Sequence, residues 1–165
     1  MGDYNNIPAE LKTFPNWLIW RLVDRPGQPK PAKMPLNPRT GQAASPTNSA
    51  DWGTFDEAVA VVERYQAAGI GFVLDEKTKA AGIIVIDIDG CRDAETGELT
   101  AEALDIVEQF RSYTEISQSG KGLHIFLKAD GAEDGRRCGP YEVYSNKRYV
   151  AITGWLFGRG NDWST

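Results

Sequence analysis

The sequence predicts an α+β protein in which helices pack on a mixed β-sheet. Apolar segments of strand length are interspersed with two clear amphipathic helices, and several strand-like segments follow the second helix. The chain has 165 residues, of which 41% are hydrophobic and 25% are charged. This composition is typical of a globular protein and not of a disordered chain. We therefore expect a single domain with its own hydrophobic core.

The first half of the chain is predicted to contain a strand, a long loop and a helix. Residues 17–23 (WLIWRLV) form an apolar, aromatic-rich run typical of a strand. Residues 24–49 hold six of the nine prolines, so we expect an irregular loop there. The helix of residues 54–68 starts at a capping box, in which the Thr54 hydroxyl and the Glu57 carboxylate satisfy free backbone amides.

The next elements are two strands and a second helix. Residues 71–74 form a short strand, and residues 81–89 (AGIIVIDID) form another. We expect the second of these at the centre of a sheet, because it is apolar on both faces until it reaches its carboxylates. The helix of residues 100–111 places apolar side chains at helical spacing.

The last third of the chain is predicted to be mostly β-structure. Residues 122–129 (GLHIFLKA) form a strand. Residues 141–144 and 148–153 flank a Ser-Asn-Lys turn, and we expect them to pair as a hairpin.

Charge is distributed unevenly along the chain. The formal net charge is −5, yet residues 21–50 hold five basic residues against one acidic residue. Residues 51–110 hold four basic against fourteen acidic residues, and residues 111–153 hold seven against five. This pattern excludes a uniformly basic nucleic-acid binder, whereas a basic channel on an acidic body stays open.

Cysteine and histidine usage limits the kinds of site. Cys91, Cys138 and one histidine are too few for a four-ligand structural zinc site, and we interpret both cysteines as small buried residues. No apolar run approaches the length that spans a bilayer, and the first residues resemble neither a signal peptide nor a myristoylation signal. We therefore expect a cytoplasmic protein.

Two aspartates stand at the end of the predicted central strand. Asp87 and Asp89 are two residues apart, so their side chains share one face while Ile86 and Ile88 face the core. Neighbouring half-buried carboxylates repel each other unless a cation or a proton intervenes, and oxygen ligands suit Mg²⁺ or Mn²⁺. The alternative is a pair of strand-end aspartates that cap the turn at Gly90.

The segment SQSGKGLH is a second candidate site. Gly120 and Gly122 let the backbone approach a phosphate closely, Lys121 adds a positive charge and Ser119 adds a hydroxyl. The segment is not a Walker A loop, because glycine follows the lysine where serine or threonine is required. A lone histidine is more often structural, but beside this loop His124 is interpreted as a phosphate donor.

Glu142 is the third candidate. Strand alternation places its side chain on the face opposite Tyr141 and Val143. Beside Asp87 and Asp89 it would complete a metal site with three carboxylates.

The aspartate motif is open to a second family interpretation. The strand followed by Asp-Ile-Asp-Gly resembles the first motif of haloacid-dehalogenase-type phosphatases. That resemblance implies a nucleophilic role for Asp87 and a general-acid role for Asp89. Cys91 stands where that family usually has threonine, and no later pair of acidic residues at a strand end is evident.

The three candidates in their order along the chain resemble the archaeo-eukaryotic primase superfamily, in particular the primase-polymerase domains of phages and plasmids. The matching motifs are Asp87-Ile-Asp89, Ser119-Gly-Lys-Gly-Leu-His124 and the later Glu142. Flanking segments also match, namely 33–38 (KMPLNP), 69–73 (GIGFV), 113–117 (YTEIS) and 142–154. Asp-x-Asp alone is a weak signal, but the ordered set at this spacing is a strong one.

The resemblance implies a fold and a domain layout. The family fold joins an N-terminal α/β unit to a unit like an RNA-recognition motif, with the active site between them. In this chain the two units would be residues 17–80 and 81–154 of one catalytic domain, followed by a tail at 155–165.

The resemblance also implies template-dependent nucleotidyl transfer by a DNA primase or polymerase. Two Mg²⁺ or Mn²⁺ ions would bind the carboxylates, Asp87, Asp89 and Glu142. The nucleotide would be held by the loop and a later arginine, namely Ser119, Gly120, Lys121, Gly122, His124 and Arg148. Lys33 is a weaker candidate for a phosphate or template contact.

The implied partners are nucleoside triphosphates, a DNA template and primer, and a helical accessory domain or a helicase. A different class of function remains open. The chain could be a nucleotide- or single-stranded-DNA-binding module of a replication complex that is inactive alone, because its net negative charge weakens template binding.

Overall fold

The computed structural model describes residues 2–131 and 135–158, and these residues form an α+β structure. The strands are β1 (Trp17–Val23), β2 (Ala32–Leu36), β3 (Gly69–Leu74), β4 (Ile83–Ile88), β5 (Thr114–Ile116), β6 (Leu123–Lys128), β7 (Arg136–Cys138), β8 (Tyr141–Tyr144) and β9 (Arg148–Ile152). The helices are α1 (Ala9–Lys12), α2 (Phe55–Val61), α3 (Glu76–Ala80) and α4 (Ala101–Phe110). Single 3-10 turns cover Tyr4–Asn6 and Ser49–Asp51.

The strands form two sheets. One has four strands in the order β2-β1-β3-β9, and the other has five in the order β5-β6-β4-β8-β7. The α+β class is therefore confirmed, but the predicted mixed sheet is wrong, since each strand pairing in the described residues is antiparallel. Parallel neighbours need a crossover within one sheet. Here α3 instead joins strands of different sheets, and β6 separates the two strands that α4 joins.

β4 lies at the centre of the five-stranded sheet, as predicted, and its two faces belong to two different cores. Ile83 and Val85 join the core that also contains residues of the four-stranded sheet such as Trp17 and Phe72. The intervening residues of β4 pack on the other face with α4, which contributes Ala103. Because side chains alternate along a strand, Asp87 extends from the face that looks toward the four-stranded sheet.

α2 begins as predicted and ends early. The Thr54 hydroxyl accepts a hydrogen bond from the Glu57 amide at 3.2 Å, and the Glu57 carboxylate accepts one from the Thr54 amide at 2.8 Å. The regular helix ends at Val61 and not at residue 68. Gln66 takes a left-handed backbone conformation with φ of 51°, which breaks the helix before the first residue of β3.

The prediction of an irregular loop over residues 24–49 is wrong in part, because β2 lies inside it. β2 pairs with β1 and forms an edge of the four-stranded sheet. Proline lacks a backbone N–H and is tolerated at such an edge, which is why Pro35 fits opposite Trp20.

The predicted hairpin of residues 141–144 and 148–153 is also wrong. β8 pairs with β4 and β7, whereas β9 pairs with β3 in the other sheet. The hairpin in this region joins β7 to β8 instead, through a turn at which Gly139 has φ of 59°. After β8, Lys147 adopts φ of 55° where the chain passes to the four-stranded sheet.

The division into units at residue 80 stays a prediction, and β9 of the predicted second unit lies in the four-stranded sheet. Cys91 is buried as expected. The Cys138 side chain and residues 159–165 of the predicted tail lie outside the described residues. In the part of the chain that the structure describes, no helix is both long and apolar enough to cross a membrane.

The cap of α2 gives a test of local stability. Thr54→Ala removes the hydroxyl that accepts the Glu57 amide, and we expect it to lower the free energy of unfolding by about 1 kcal/mol in urea denaturation. Glu108→Ala, at an exposed position on α4, is the control and should change it by less than about 0.5 kcal/mol. Equal losses in the two variants would contradict the role of the cap.

Candidate active site

Five ionisable side chains form one row across the five-stranded sheet. Asp87 on β4 lies opposite His124 on β6 and opposite Glu142 on β8. The row extends to Glu115, opposite His124, and to Arg137, opposite Glu142. Directly opposite residues of antiparallel strands share a face. The strand register therefore brings together two of the three predicted carboxylates and the predicted histidine.

Asp87 is the least satisfied member of the row. Its side chain is 22% exposed, and its Oδ1 atom is buried without a hydrogen-bond partner. The nearest cationic candidate is Nε2 of His124, at 3.7 Å. Burial raises the pKa of Asp87. His124 and Lys33 lower it in part, the charges of Asp89 and Glu142 raise it, and the net effect is an increase. The ionised form of Asp87 is therefore electrostatically unfavourable, and a bound cation would stabilise it.

Asp89 lies just beyond β4, on the exposed rim of the site. Gly90 follows with φ of 64°, so the chain does turn here. Of the side chains in this turn, the Cys91 thiol donates a hydrogen bond to the Ile88 carbonyl at 3.4 Å. In the described residues no hydrogen bond ties either aspartate carboxylate to the turn, which weighs against a purely capping role.

Glu142 is held on the Asp87 side of the sheet by its neighbours. The Tyr144 hydroxyl donates a hydrogen bond to Oε2 of Glu142 at 2.6 Å, and Nη1 of Arg137 lies 3.6 Å from Oε1. The Arg148 guanidinium stacks over the Tyr144 ring, with Cζ 4.4 Å from the ring centroid. Burial raises the pKa of Tyr144, and its bond to Glu142 raises it further, so the phenol stays protonated as a donor.

The carboxylate oxygens of the row suit a hard divalent cation, but the described residues do not form a complete metal site. Among residues 2–131 and 135–158, no three His, Cys, Asp or Glu side chains form a group with metal-binding geometry. Asp87 Oδ1 is a buried oxygen that still lacks a partner. Mg²⁺ is usually bound by one or two carboxylates together with waters and substrate phosphates. The row therefore suits an ion that arrives with a phosphate ligand.

The glycine loop connects β5 to β6 and is closed by its own hydrogen bonds. The Gly120 amide donates to the Ser117 carbonyl at 2.9 Å, and the Gly122 amide donates to the Ser117 hydroxyl at 3.1 Å. The Lys121 amide donates to the Ser119 hydroxyl at 3.2 Å. The loop amides that we expected to bind phosphate are thus occupied internally. The exposed side chains of Ser119 and Lys121 are what the loop presents outward.

Gly122 has a packing role that the sequence did not show. A Cβ atom at this position would lie 2.7 Å from the Ile88 carbonyl oxygen and 3.0 Å from the Ser117 hydroxyl. It would also lie 3.6 Å from the Asp89 backbone. The absence of a side chain therefore lets the loop close against the end of β4, beside the aspartates.

A pocket of about 210 Å³ opens between the two sheets at the row. Its lining residues come from β2, β4, β6, β8 and β9: Lys33, Asp87, His124, Tyr144, Tyr149, Val150 and Ala151. Glu142, the glycine-loop residues and Arg148 do not line it. A larger pocket of about 640 Å³ lies on the α4 face of the sheet, and no residue of the row lines it. We place the chemistry in the smaller pocket, because it holds the buried carboxylate and the histidine.

The sequence analysis did not identify Glu115 and Tyr149 as residues of this site. Glu115 is fully buried next to His124. The sequence feature that could have identified it is a carboxylate in the short segment YTEIS, which was not predicted as a strand. Tyr149 lines the pocket, and its hydroxyl donates to the Lys33 carbonyl at 2.7 Å. It was missed because β9 was predicted to pair with β8 in a hairpin, whereas it pairs with β3.

Comparisons with known proteins found a similar phage protein. No family model matches the chain. The DNA primase-polymerase of Nitratiruptor phage NrS-1 is 35% identical over an alignment of 167 positions, which covers 94% of this chain. The alignment covers 22% of the phage protein, so the chain spans about a fifth of the length of this relative.

The unsatisfied Asp87 predicts a pH-dependent stability effect. A raised pKa means that the folded state favours the protonated acid, so ionisation costs stability above that pKa and the cost disappears at low pH. In metal-free buffer, Asp87→Asn should raise the free energy of unfolding at pH 7 by about 1 kcal/mol. The gain should vanish below the ordinary aspartate pKa.

The control is Asp105→Asn on the exposed face of α4. It should show no pH-dependent gain in the same denaturation series. A destabilised Asp87→Asn protein at neutral pH would contradict the assigned cost of burying this carboxylate.

Proposed function

We propose that this chain, a domain of the phage primase-polymerase type as the sequence motifs predicted, is the catalytic core that adds nucleotides to a 3′-hydroxyl on a DNA template. The observation that carries the proposal is the cross-strand row, in which Asp87 lies beside Glu142 on one side and His124 on the other. The similarity to a DNA primase-polymerase over 94% of the chain supports the same activity and favours it over the phosphatase interpretation.

Asp87, Asp89 and Glu142 would hold two Mg²⁺ or Mn²⁺ ions in this proposal. Support comes from the partnerless Oδ1 atom of Asp87 and from the all-oxygen character of the three side chains. Bound ions would lower the pKa of the attacking hydroxyl and neutralise the leaving pyrophosphate. To take part, Glu142 would have to exchange its contact with the Tyr144 hydroxyl for a metal contact.

Basic and polar side chains around the row would hold the triphosphate. His124 and Lys33 line the pocket beside Asp87. Ser119 and Lys121 lie at the end of β4 on the glycine loop, and Arg148 stacks on Tyr144 at the rim. Positioning and charge neutralisation account for most of the catalysis in phosphoryl and nucleotidyl transfer. Because the amides of Gly120 and Gly122 are occupied, their contribution would be to shape the loop and not to bind phosphate directly.

The family fold supports the same location for the site. We interpret the five-stranded sheet with α4 as the unit like an RNA-recognition motif and the four-stranded sheet as the main part of the N-terminal unit. The pocket between the sheets would then be the nucleotide site, with the template and primer approaching its open side. A helical accessory domain or a helicase would be a further partner, contributed by chain or proteins outside this segment.

Asp87 should be indispensable for polymerisation. Asp87→Ala removes the partly buried carboxylate, and we expect a loss of about 100- to 1,000-fold in Mn²⁺-dependent extension of a primed DNA template, the magnitude of a lost transition-state charge contact. Circular dichroism should show an intact fold. The matched control Asp105→Ala should retain extension, and retained extension by Asp87→Ala would refute the assignment.

A second function, a nucleotide-binding module that is inactive alone, is favoured by the closed glycine loop and by the net charge of −5. Calorimetric titration with a nucleoside triphosphate and Mn²⁺, paired with primer extension, separates the two functions. Binding without extension would support the module, whereas extension supports the enzyme.

His124 gives the corresponding test of nucleotide binding. His124→Ala should weaken the affinity for the nucleoside triphosphate by about 10- to 150-fold, since a hydrogen bond to a charged phosphate contributes roughly 1.5–3 kcal/mol. The control Lys128→Ala lies further along β6, away from the pocket. Unchanged affinity in His124→Ala would show that the histidine does not contact the phosphates.

A further inference from the structure

Glu115 is a fully buried carboxylate whose two oxygens accept four hydrogen bonds. The Tyr113 hydroxyl donates at 2.8 Å and the Gly154 amide at 2.9 Å, both to Oε2. The Thr153 amide donates at 3.1 Å to Oε1, and Nδ1 of His124 lies 3.0 Å from the same oxygen. Contacts with this many donors hold the side chain of Glu115 in one orientation.

The same contacts determine where the His124 ring carries a proton. Both oxygens of Glu115 already accept hydrogen bonds from other donors, so the Nδ1 atom of His124 donates its proton to Oε1. Nε2 is then the ring atom that faces Asp87, at 3.7 Å, and the pocket between the sheets. It can donate to a phosphate oxygen only when the ring carries a second proton, because both nitrogens of the protonated ring are donors. In metal sites, a carboxylate behind a histidine fixes the tautomer and the ring orientation in the same way.

Glu115 also ties the ring to the opposite wall of the pocket. Thr153 and Gly154 follow directly after β9, which belongs to the four-stranded sheet and lines the pocket. Their amides bind the same carboxylate that holds the ring of His124. The position of the His124 ring is therefore fixed by contacts from both sheets, and not only by its own strand.

We propose that Glu115 is a positioning residue that fixes the proton of His124 on Nδ1 and presents Nε2 to the nucleotide site. The proposal rests on the proposed function for its consequence in catalysis, but its structural half can be tested without any substrate. Glu115 does not line the pocket, so it acts through His124 and does not touch the nucleotide.

The first test uses the fact that His124 is the one histidine in the sequence. In ¹⁵N-labelled wild-type protein without metal or nucleotide, long-range ¹H–¹⁵N correlation spectra report which ring nitrogen carries the proton, with no ambiguity of assignment. We expect Nδ1 to carry the proton of the neutral ring. A neutral ring with its proton on Nε2 overturns the proposal, whatever the enzyme activity.

The second test compares two variants that each disturb the Glu115 cluster. Glu115→Gln has a single acceptor oxygen for the four donors, so the ring loses its fixed partner. Tyr113→Phe removes one donor and leaves the contact of Glu115 with His124 in place. Both variants should lower the melting temperature, and the size of this decrease measures the purely structural effect of each substitution.

In primer extension, we expect Glu115→Gln to lower kcat/KM for the nucleotide 10- to 100-fold, mainly through KM, and to show a mixture of His124 tautomers. Tyr113→Phe should stay within about threefold of wild type and keep the proton on Nδ1. If both variants lose activity in proportion to their melting temperatures, Glu115 is only structural and the proposal fails.

The two proposals fail in distinguishable ways. If the wild-type protein does not extend primers but carries its proton on Nδ1, the proposed function fails and the positioning by Glu115 stands; nucleotide affinity then replaces extension as the readout for the variants. If Glu115→Gln does not fold, the wild-type tautomer and Tyr113→Phe still decide the structural half.

Discussion

The register of β4 between β6 and β8 is the constraint on which the rest of the site depends. It sets Asp87 opposite His124 and Glu142 at once, although the three residues are far apart in the chain. A shift of one residue in either pairing would move a partner to the α4 side of the sheet. The apolar residues of β4, which pack into separate cores on its two faces, prevent that shift. The hydrophobic cores thus fix the spacing of the ionisable row.

Two acids of this row, Glu115 and Asp87, have very different environments. Glu115 is stabilised by four donors, and its burial therefore adds to the connection between the sheets. Asp87 has a buried oxygen without a partner and two acidic neighbours. Stability alone would not select such an arrangement, because an unsatisfied buried polar atom is costly. The contrast supports the proposal that Asp87 contacts a ligand, because its environment does not favour stability.

Sequence patterns were sufficient for the central strand, for the start of the capped helix and for Asp87, His124 and Glu142, because each rests on local alternation or spacing. The sheet partners of β2, β8 and β9 were not predictable in the same way. Pro35 looked like a loop residue until the edge position of β2 was known. The pairing of β9 with β3 is a long-range choice that depends on core packing, which local patterns do not contain. Glu115 was missed for the same reason, since its partners come from β6 and from the end of β9.

Gly122 lies where the loop meets the end of β4, and a methyl group there would collide with the Ile88 carbonyl. Its place in the motif is thus explained by close contact between backbones before any substrate is considered. For protein engineers, this glycine belongs to the scaffold: a redesigned domain that accepts another ligand, or none, would still have to keep it. Seeing the motif in a new sequence is accordingly better evidence for the strand arrangement than for what the pocket binds.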